Sequence, residues 1–180
     1  MSVNKIHKTK LISFPRSGSD LLVRGLQTLL QGEIVYSNGT AIQNMENSPF
    51  VNLEKNQDLE LKEPIDPNTR YIVLIREPEG AIRSWYRQES DNGLTTHYED
   101  WAEEKMKFYQ EWTDKWVKSE IPYRTTVIFE SLLDQKITTV IDVAKFMMSE
   151  EIDYRHNIPY LGFWSHGENL LQRKYKHLKS

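Results

Sequence analysis

The chain has 180 residues, 38% of them apolar and 27% charged, with a formal net charge of −3. That length suits one domain with a proper hydrophobic core. The slight acidic balance excludes a general attraction to nucleic acid or anionic membranes, so any anion site must be local. Cysteine is absent, which excludes disulfides and thiolate metal sites. The basic N-terminal stretch is not followed by an apolar run long enough for a signal peptide, and no stretch reaches the roughly 20 apolar residues of a membrane span. The expectation is a single cytoplasmic domain over residues 1–180, with no membrane and no nucleic-acid partner.

Lys10 to Leu22, KLISFPRSGSDLL, opens with the short apolar run of a buried strand (Leu11, Ile12, Phe14). Pro15 ends any ladder pairing because it has no N–H to donate. Arg16, Ser17, Gly18 and Ser19 follow, and then a helical pattern with apolar residues at Leu22, Leu26, Leu29 and Leu30. Strand, tight polar loop and helix in that order aim backbone N–H groups and a positive helix end at one point, which attracts phosphate. An ordinary strand-to-helix turn is the alternative, and the loop is not a Walker A box, since Gly-x-x-x-x-Gly-Lys-Ser/Thr cannot be written onto it.

Further along, Glu33 to Tyr36 suits a short strand, and Ser37 to Leu53, rich in Asn, Gly, Ser and Pro, reads as a long loop. Pro64 to Asn68 is a turn. Tyr71 to Ile75 is an uninterrupted, β-branched apolar run, as expected of a strand buried on both faces of a parallel sheet. Pro78 stands where a helix begins. Asp100 to Lys118 carries an aromatic stripe at helical spacing that suits a core face. Thr125 to Phe129 is another strand, and Ile137 to Met148 an amphipathic helix. Strands alternating with helices predict an α/β fold with a central, mostly parallel sheet. Ligands in such sheets bind at the carboxyl ends of strands, where both Arg16 and Arg76 fall.

Two of these segments resemble the sulfotransferase family, of cytosolic or bacterial type. Pro15-Arg16-Ser17-Gly18-Ser19 is similar to the family's 5′-phosphosulfate loop, except that Asp20 stands where a second hydroxyl is usual. Tyr71 to Gln88, YIVLIREPEGAIRSWYRQ, is similar to the family's strand, arginine, Pro-and-acid turn and helix, with Ser84 eight residues after Arg76. Looser likenesses are Lys55-Asn56-Gln57-Asp58 to a Lys-x-His segment and Thr126 to Leu133 to a strand ending in Tyr-Glu-Asp-Leu. The resemblance implies a P-loop-like sulfotransferase fold. It also implies use of 3′-phosphoadenosine-5′-phosphosulfate (PAPS) as co-substrate, with no metal, and a small-molecule or glycan acceptor. Arg16, Ser17, Gly18 and Ser19 would then hold the 5′-phosphosulfate, and Arg76 and Ser84 the 3′-phosphate. Arg16 would also stabilise charge on the leaving oxygen. The face shared by Ser84 and Gly80 leaves room for a ligand to approach.

Three departures qualify the resemblance. Gln57 occupies the position of the usual histidine and cannot act as a base, so Glu63, His97 and His166 become the candidates for that role. Asp20 suits a helix cap turned away from the ligand, whereas a carboxylate facing the phosphosulfate would repel it. The family's C-terminal glycines are missing, and Arg173, beside Lys174, is the nearest replacement for their phosphate contact. Trp85, Tyr86 and Trp164 suit core packing better than stacking on adenine. A non-catalytic nucleotide-binding protein of the same fold, or another P-loop-type phosphotransferase, are the competing functions.

Overall fold

The computed structural model describes residues 8–30, 34–38 and 51–148. Five strands, β1 (Thr9–Ser13), β2 (Ile34–Asn38), β3 (Val51–Asn56), β4 (Arg70–Ile75) and β5 (Arg124–Ile128), form one sheet in the order β2-β3-β1-β4-β5. Every pairing is parallel, as the alternation of strands and helices predicts. The helices are α1 (Ser19–Leu29), α2 (Pro78–Asp91), α3 (Tyr98–Thr113), α4 (Phe129–Asp134) and α5 (Lys136–Met148), with a π-helical turn over Asp114–Lys118 continuing α3. Among the described residues, no helix is long and apolar enough to cross a membrane.

Successive side chains of a strand point to opposite faces, and the central strands β1 and β4 are apolar on both. Leu11, Ile72 and Leu74 pack on one face with Leu22 and Leu26 of α1 and with Val140 and Ala144 of α5. Ile12, Phe14, Tyr71 and Val73 pack on the other with Ile82 of α2 and with Trp101 and Trp112 of α3. The aromatic stripe is therefore core. Phe14 lies edge-on to Trp85, Tyr109 and Trp112, with ring centroids 5.9, 4.8 and 5.7 Å away. Trp85 and Tyr86 both pack against this second cluster.

The segment read as a loop over Ser37 to Leu53 needs correction at both ends. β2 runs on to Asn38 and β3 begins at Val51, with Ser37 opposite Glu54 and Asn38 opposite Lys55; residues 39–50 lie outside the described residues. Glu54, Lys55 and Asn56 are poor strand formers, but β3 has a partner on each side, and ladder hydrogen bonding does not depend on side-chain type. The short helix α4, directly after β5, was also not expected.

The turn between β3 and β4 is clamped from the α3 side. Trp112 Nε1 donates to the Gln57 carbonyl at 2.9 Å. Lys115 Nζ donates to Asp58 Oδ2 at 2.6 Å and to the carbonyls of Leu61 and Glu63 at 2.9 and 2.7 Å. Trp116 Nε1 reaches the same Asp58 oxygen at 2.9 Å. In a regular α-helix, consecutive residues point about 100° apart. The wider π turn holds Lys115 and Trp116, which are adjacent in sequence, on one carboxylate.

Between β1 and β3, Glu54 meets Lys8 at 2.9 Å and Lys10 at 3.4 Å. Burial pushes the Glu54 carboxyl up. The hydrogen bond from Lys8 and the charges of Lys10 and Lys8 outweigh that and hold it below its ordinary 4.5. A carboxyl depressed on folding contributes stability above its unfolded pKa and loses it as pH falls through the folded value. Urea midpoints of wild type and Glu54→Gln should therefore differ at neutral pH and converge as pH drops below 4.5. A constant gap through that range would mean the ion pairs contribute nothing.

Candidate functional site

Pairing of β1 stops where Pro15 dictates. Phe14 N–H donates to the Leu74 carbonyl at 3.1 Å, and the next residue has no N–H to offer. The chain then turns tightly, with Ser17 N–H bonded back to the Phe14 carbonyl at 3.2 Å. Arg16 adopts φ 63° and Gly18 φ 83°. The left-handed region costs a side chain roughly 1–2 kcal/mol, so Arg16 is a strained residue held there by its surroundings, a pattern that clusters at functional sites. Gly18 is the N-cap of α1, with no side-chain cap. Its lack of a Cβ is required twice: by φ, and by Phe129, whose Cδ2 would lie 2.5 Å from an added Cβ.

β1 and β4 are neighbours in register, Ser13 opposite Leu74, so the residues that follow them emerge side by side. Arg76 Nη1 donates to the Arg16 carbonyl at 3.2 Å. Arg16 Nε donates to Ser84 Oγ at 3.2 Å, and its Nη1 to Gln88 Oε1 at 3.3 Å. Four of the residues singled out from two motifs 60 positions apart (Arg16, Gly18, Arg76, Ser84) thus converge on one spot. Gln88, one turn beyond Ser84, and Phe129 join them without having been foreseen. The Arg76 guanidinium lies 4.6 Å from the Phe129 ring centroid, so one ring packs on Gly18 and beneath Arg76. Sequence spacing carried no sign of Phe129, since the contact depends on β5 lying next to β4.

The α2 end is built around Arg76. Glu77 caps the helix, accepting from the N–H groups of Glu79 and Gly80 at 2.8 Å each. Tyr109 Oη donates to the Arg76 carbonyl at 3.0 Å, and burial pushes that phenol up, keeping its proton in place. The space above Gly80, expected to admit a ligand, is filled differently. An added Cβ there would lie 2.9 Å from Glu77 Oε2 and 3.2 Å from Arg76 Nη2. The glycine makes room for the capping Glu77 carboxylate first and for the Arg76 guanidinium beside it.

Arg16 is exposed and its partners are a neutral hydroxyl and a neutral amide; no carboxylate among the described residues neutralises it. Ser17 is buried, 1% exposed, and its Oγ has no hydrogen-bond partner among the described residues. A buried polar atom without a partner is costly; Ser13 Oγ in β1 and Ser90 Oγ in α2 are alike in this, but Ser17 stands in the turn before a helix N-terminus. Exposed cation, unsatisfied hydroxyl and helix N-terminus together fit a phosphate-bearing ligand.

The remaining expected residues that are described do not bond to Arg16, Arg76 or Ser84. Asp20 does not cap α1; its Oδ1 accepts from Lys55 Nζ at 2.6 Å. Glu63 is held by Lys10 through one carboxylate oxygen and by Asn56 Nδ2 through the other, at 2.7 Å. His97 is the exposed N-cap of α3 and makes no side-chain capping bond. Neither Glu63 nor His97 bonds Arg16, Arg76 or Ser84. Trp164, His166, Arg173 and Lys174 lie outside the described residues.

Comparison with known proteins identifies the fold. Mouse sulfotransferase SULT7A1 complexed with PAP superposes with a TM-score of 0.62 at 13% identity, over 87% of this chain and 68% of that one. The sulfotransferase domain from the curacin biosynthetic pathway aligns at a TM-score of 0.49 and 15% identity, over 78% of this chain and 73% of that one. No protein-family model and no curated protein matches the chain. The architecture is the P-loop-like α/β fold found in sulfotransferases.

Gly18→Ala tests the construction of the loop. It should lower stability by about 1–3 kcal/mol in urea unfolding, from the left-handed φ together with the Phe129 overlap. In a Phe129→Leu background the loss should shrink but not vanish, because the backbone strain remains.

Proposed function

We propose that the protein is a sulfotransferase that takes its sulfuryl group from PAPS, passes it to a hydroxyl or amine and releases adenosine 3′,5′-bisphosphate. The observation that carries this reading is the meeting of the two motifs: Arg16 on Ser84 and Arg76 on the Arg16 carbonyl, at the carboxyl ends of adjacent parallel strands. A phosphotransferase of Walker type would need a lysine where Arg16 stands.

PAPS, when bound, supplies the sulfuryl group and a phosphate leaving group. The chain's part is positioning and charge. The Gly18 N–H and the Ser19 hydroxyl would hold the 5′-phosphate end, with the Ser17 Oγ finding the partner it lacks; the Ser17 N–H, expected to share this role, is taken by the Phe14 carbonyl. Arg16, whose present partners are neutral, would stabilise the negative charge that grows as the sulfuryl group leaves. Arg76 offers a planar fork of donors suited to a phosphate, and with Ser84 would take the 3′-phosphate. Preorganisation matters here because transfer of this kind asks little covalent work of the protein. Phe129 and Tyr109 hold Arg76 in place before any ligand arrives. The reading concerns the donor half of the reaction. Glu63, with both oxygens engaged, and His97, at the start of α3, take no part in it.

Calorimetric titration with adenosine 3′,5′-bisphosphate and with AMP tests the proposal. Wild type should prefer the bisphosphate, and Arg76→Ala should reduce that preference about 10- to 100-fold, the equivalent of one charge-assisted phosphate contact. Equal binding of the two nucleotides by wild type, or binding of neither, would remove the PAPS assignment.

A further inference from the structure

Three cations stand at the carboxyl ends of three adjacent strands: Lys55 on β3, Arg16 beyond β1 and Arg76 beyond β4. Their partners differ in kind. Arg16 is met by neutral groups, whereas Lys55 donates to the Asp20 carboxylate at 2.6 Å. Asp20 is the second residue of α1. It therefore places a negative charge in the helical turn whose N–H groups draw anions, two residues beyond the left-handed Gly18. The pair is also lopsided: the Lys55 side chain is 14% exposed, the Asp20 side chain 79%.

From this we infer that Asp20 is a built-in competitor for the anion. Its carboxylate occupies Lys55 and repels incoming negative charge, and so lowers affinity at the 5′-phosphate end of the site without touching selection for the 3′-phosphate. The inference rests on the proposed nucleotide site. An exposed carboxylate leaves an ion pair at little cost, since water solvates it and surface pairs are weak. An arriving phosphate can therefore take the place of Asp20 on Lys55. The two flanks of the site are separate: Asp20 and Lys55 lie on the β3 side of the loop, Arg76 and Ser84 on the β4 side. A charge change on the first flank should thus act alike on every ligand carrying a 5′-phosphate. Asp20 also complements the helix dipole, and if that were its whole role, removing its charge would alter stability and leave binding unchanged.

The test is titration of wild type, Asp20→Asn, Lys55→Met and the double variant with adenosine 3′,5′-bisphosphate and with AMP, at low and high salt. Thermal unfolding of each variant confirms that it is folded. An asparagine amide oxygen can still accept a hydrogen bond from Lys55, so Asp20→Asn removes the charge with little change of shape. It should bind both nucleotides about two- to fivefold more tightly at low salt, with the bisphosphate-to-AMP ratio unchanged and the gain reduced at high salt. In the Lys55→Met background the gain should be smaller. If wild type binds the bisphosphate and folded Asp20→Asn binds it no better, or the ratio of the two nucleotides shifts, the competitor role is overturned and the nucleotide site stands. If no variant binds the bisphosphate, both readings fall together.

Discussion

The site depends on where the central strand stops pairing. β1 is hydrogen-bonded to β3 on one side and β4 on the other, and Phe14 makes its last sheet contact because Pro15 cannot donate. Expelled from the sheet at its carboxyl edge, the chain has one short turn in which to reverse into α1. It does so through two left-handed residues, Arg16 and Gly18. The strain at Arg16 persists because the turn is fixed at both ends. Phe14 is locked among aromatic rings on one side, and Gly18 is packed against Phe129, the first residue of α4, on the other.

β1 is also where the topology diverges. From β1 the chain goes to the edge strand β2 and returns through β3, then crosses to β4 and β5 on the other side. The chain thus leaves β1 and β4 toward opposite edges of the sheet, the arrangement at which ligands bind in sheets of this type. The aromatic packing of α2 and α3 on this face has a functional consequence. Tyr109 and Trp112, on the same helix, hold the Arg76 carbonyl and the Gln57 carbonyl, so a single element positions the chain ends of two strands that flank β1.

Charge within the site is distributed rather than simply positive. Arg16 meets only neutral groups among the described residues, while Lys55 is paired with Asp20, and Glu77 serves as a helix cap close to Arg76. A chain with net charge −3 has no long-range field to gather anions. Any selection of an anion must come from short-range donors placed in advance, such as those that the chain sets after β1 and β4.

The sequence alone determined the strand-loop-helix unit at Lys10 to Leu22, the doubly buried strand before Arg76, the helix after Pro78 and the α/β class. Each of these is a local signal: a proline without a donor, a β-branched run, a 3.6-residue period. It also singled out Arg16, Ser17, Gly18, Arg76 and Ser84, through two motifs read separately. That they meet was decided by strand order, because nothing in the spacing states that β4 lies against β1. Tertiary structure alone placed Gln88 and Phe129 in the site, turned Asp20 toward Lys55 and engaged Glu63 with Lys10 and Asn56. It also made a strand of Glu54 to Asn56, whose intrinsic preference is poor. In each case the deciding interaction joins residues far apart in the chain, and long-range pairing energy outweighs a local preference worth a fraction of a kcal/mol per residue.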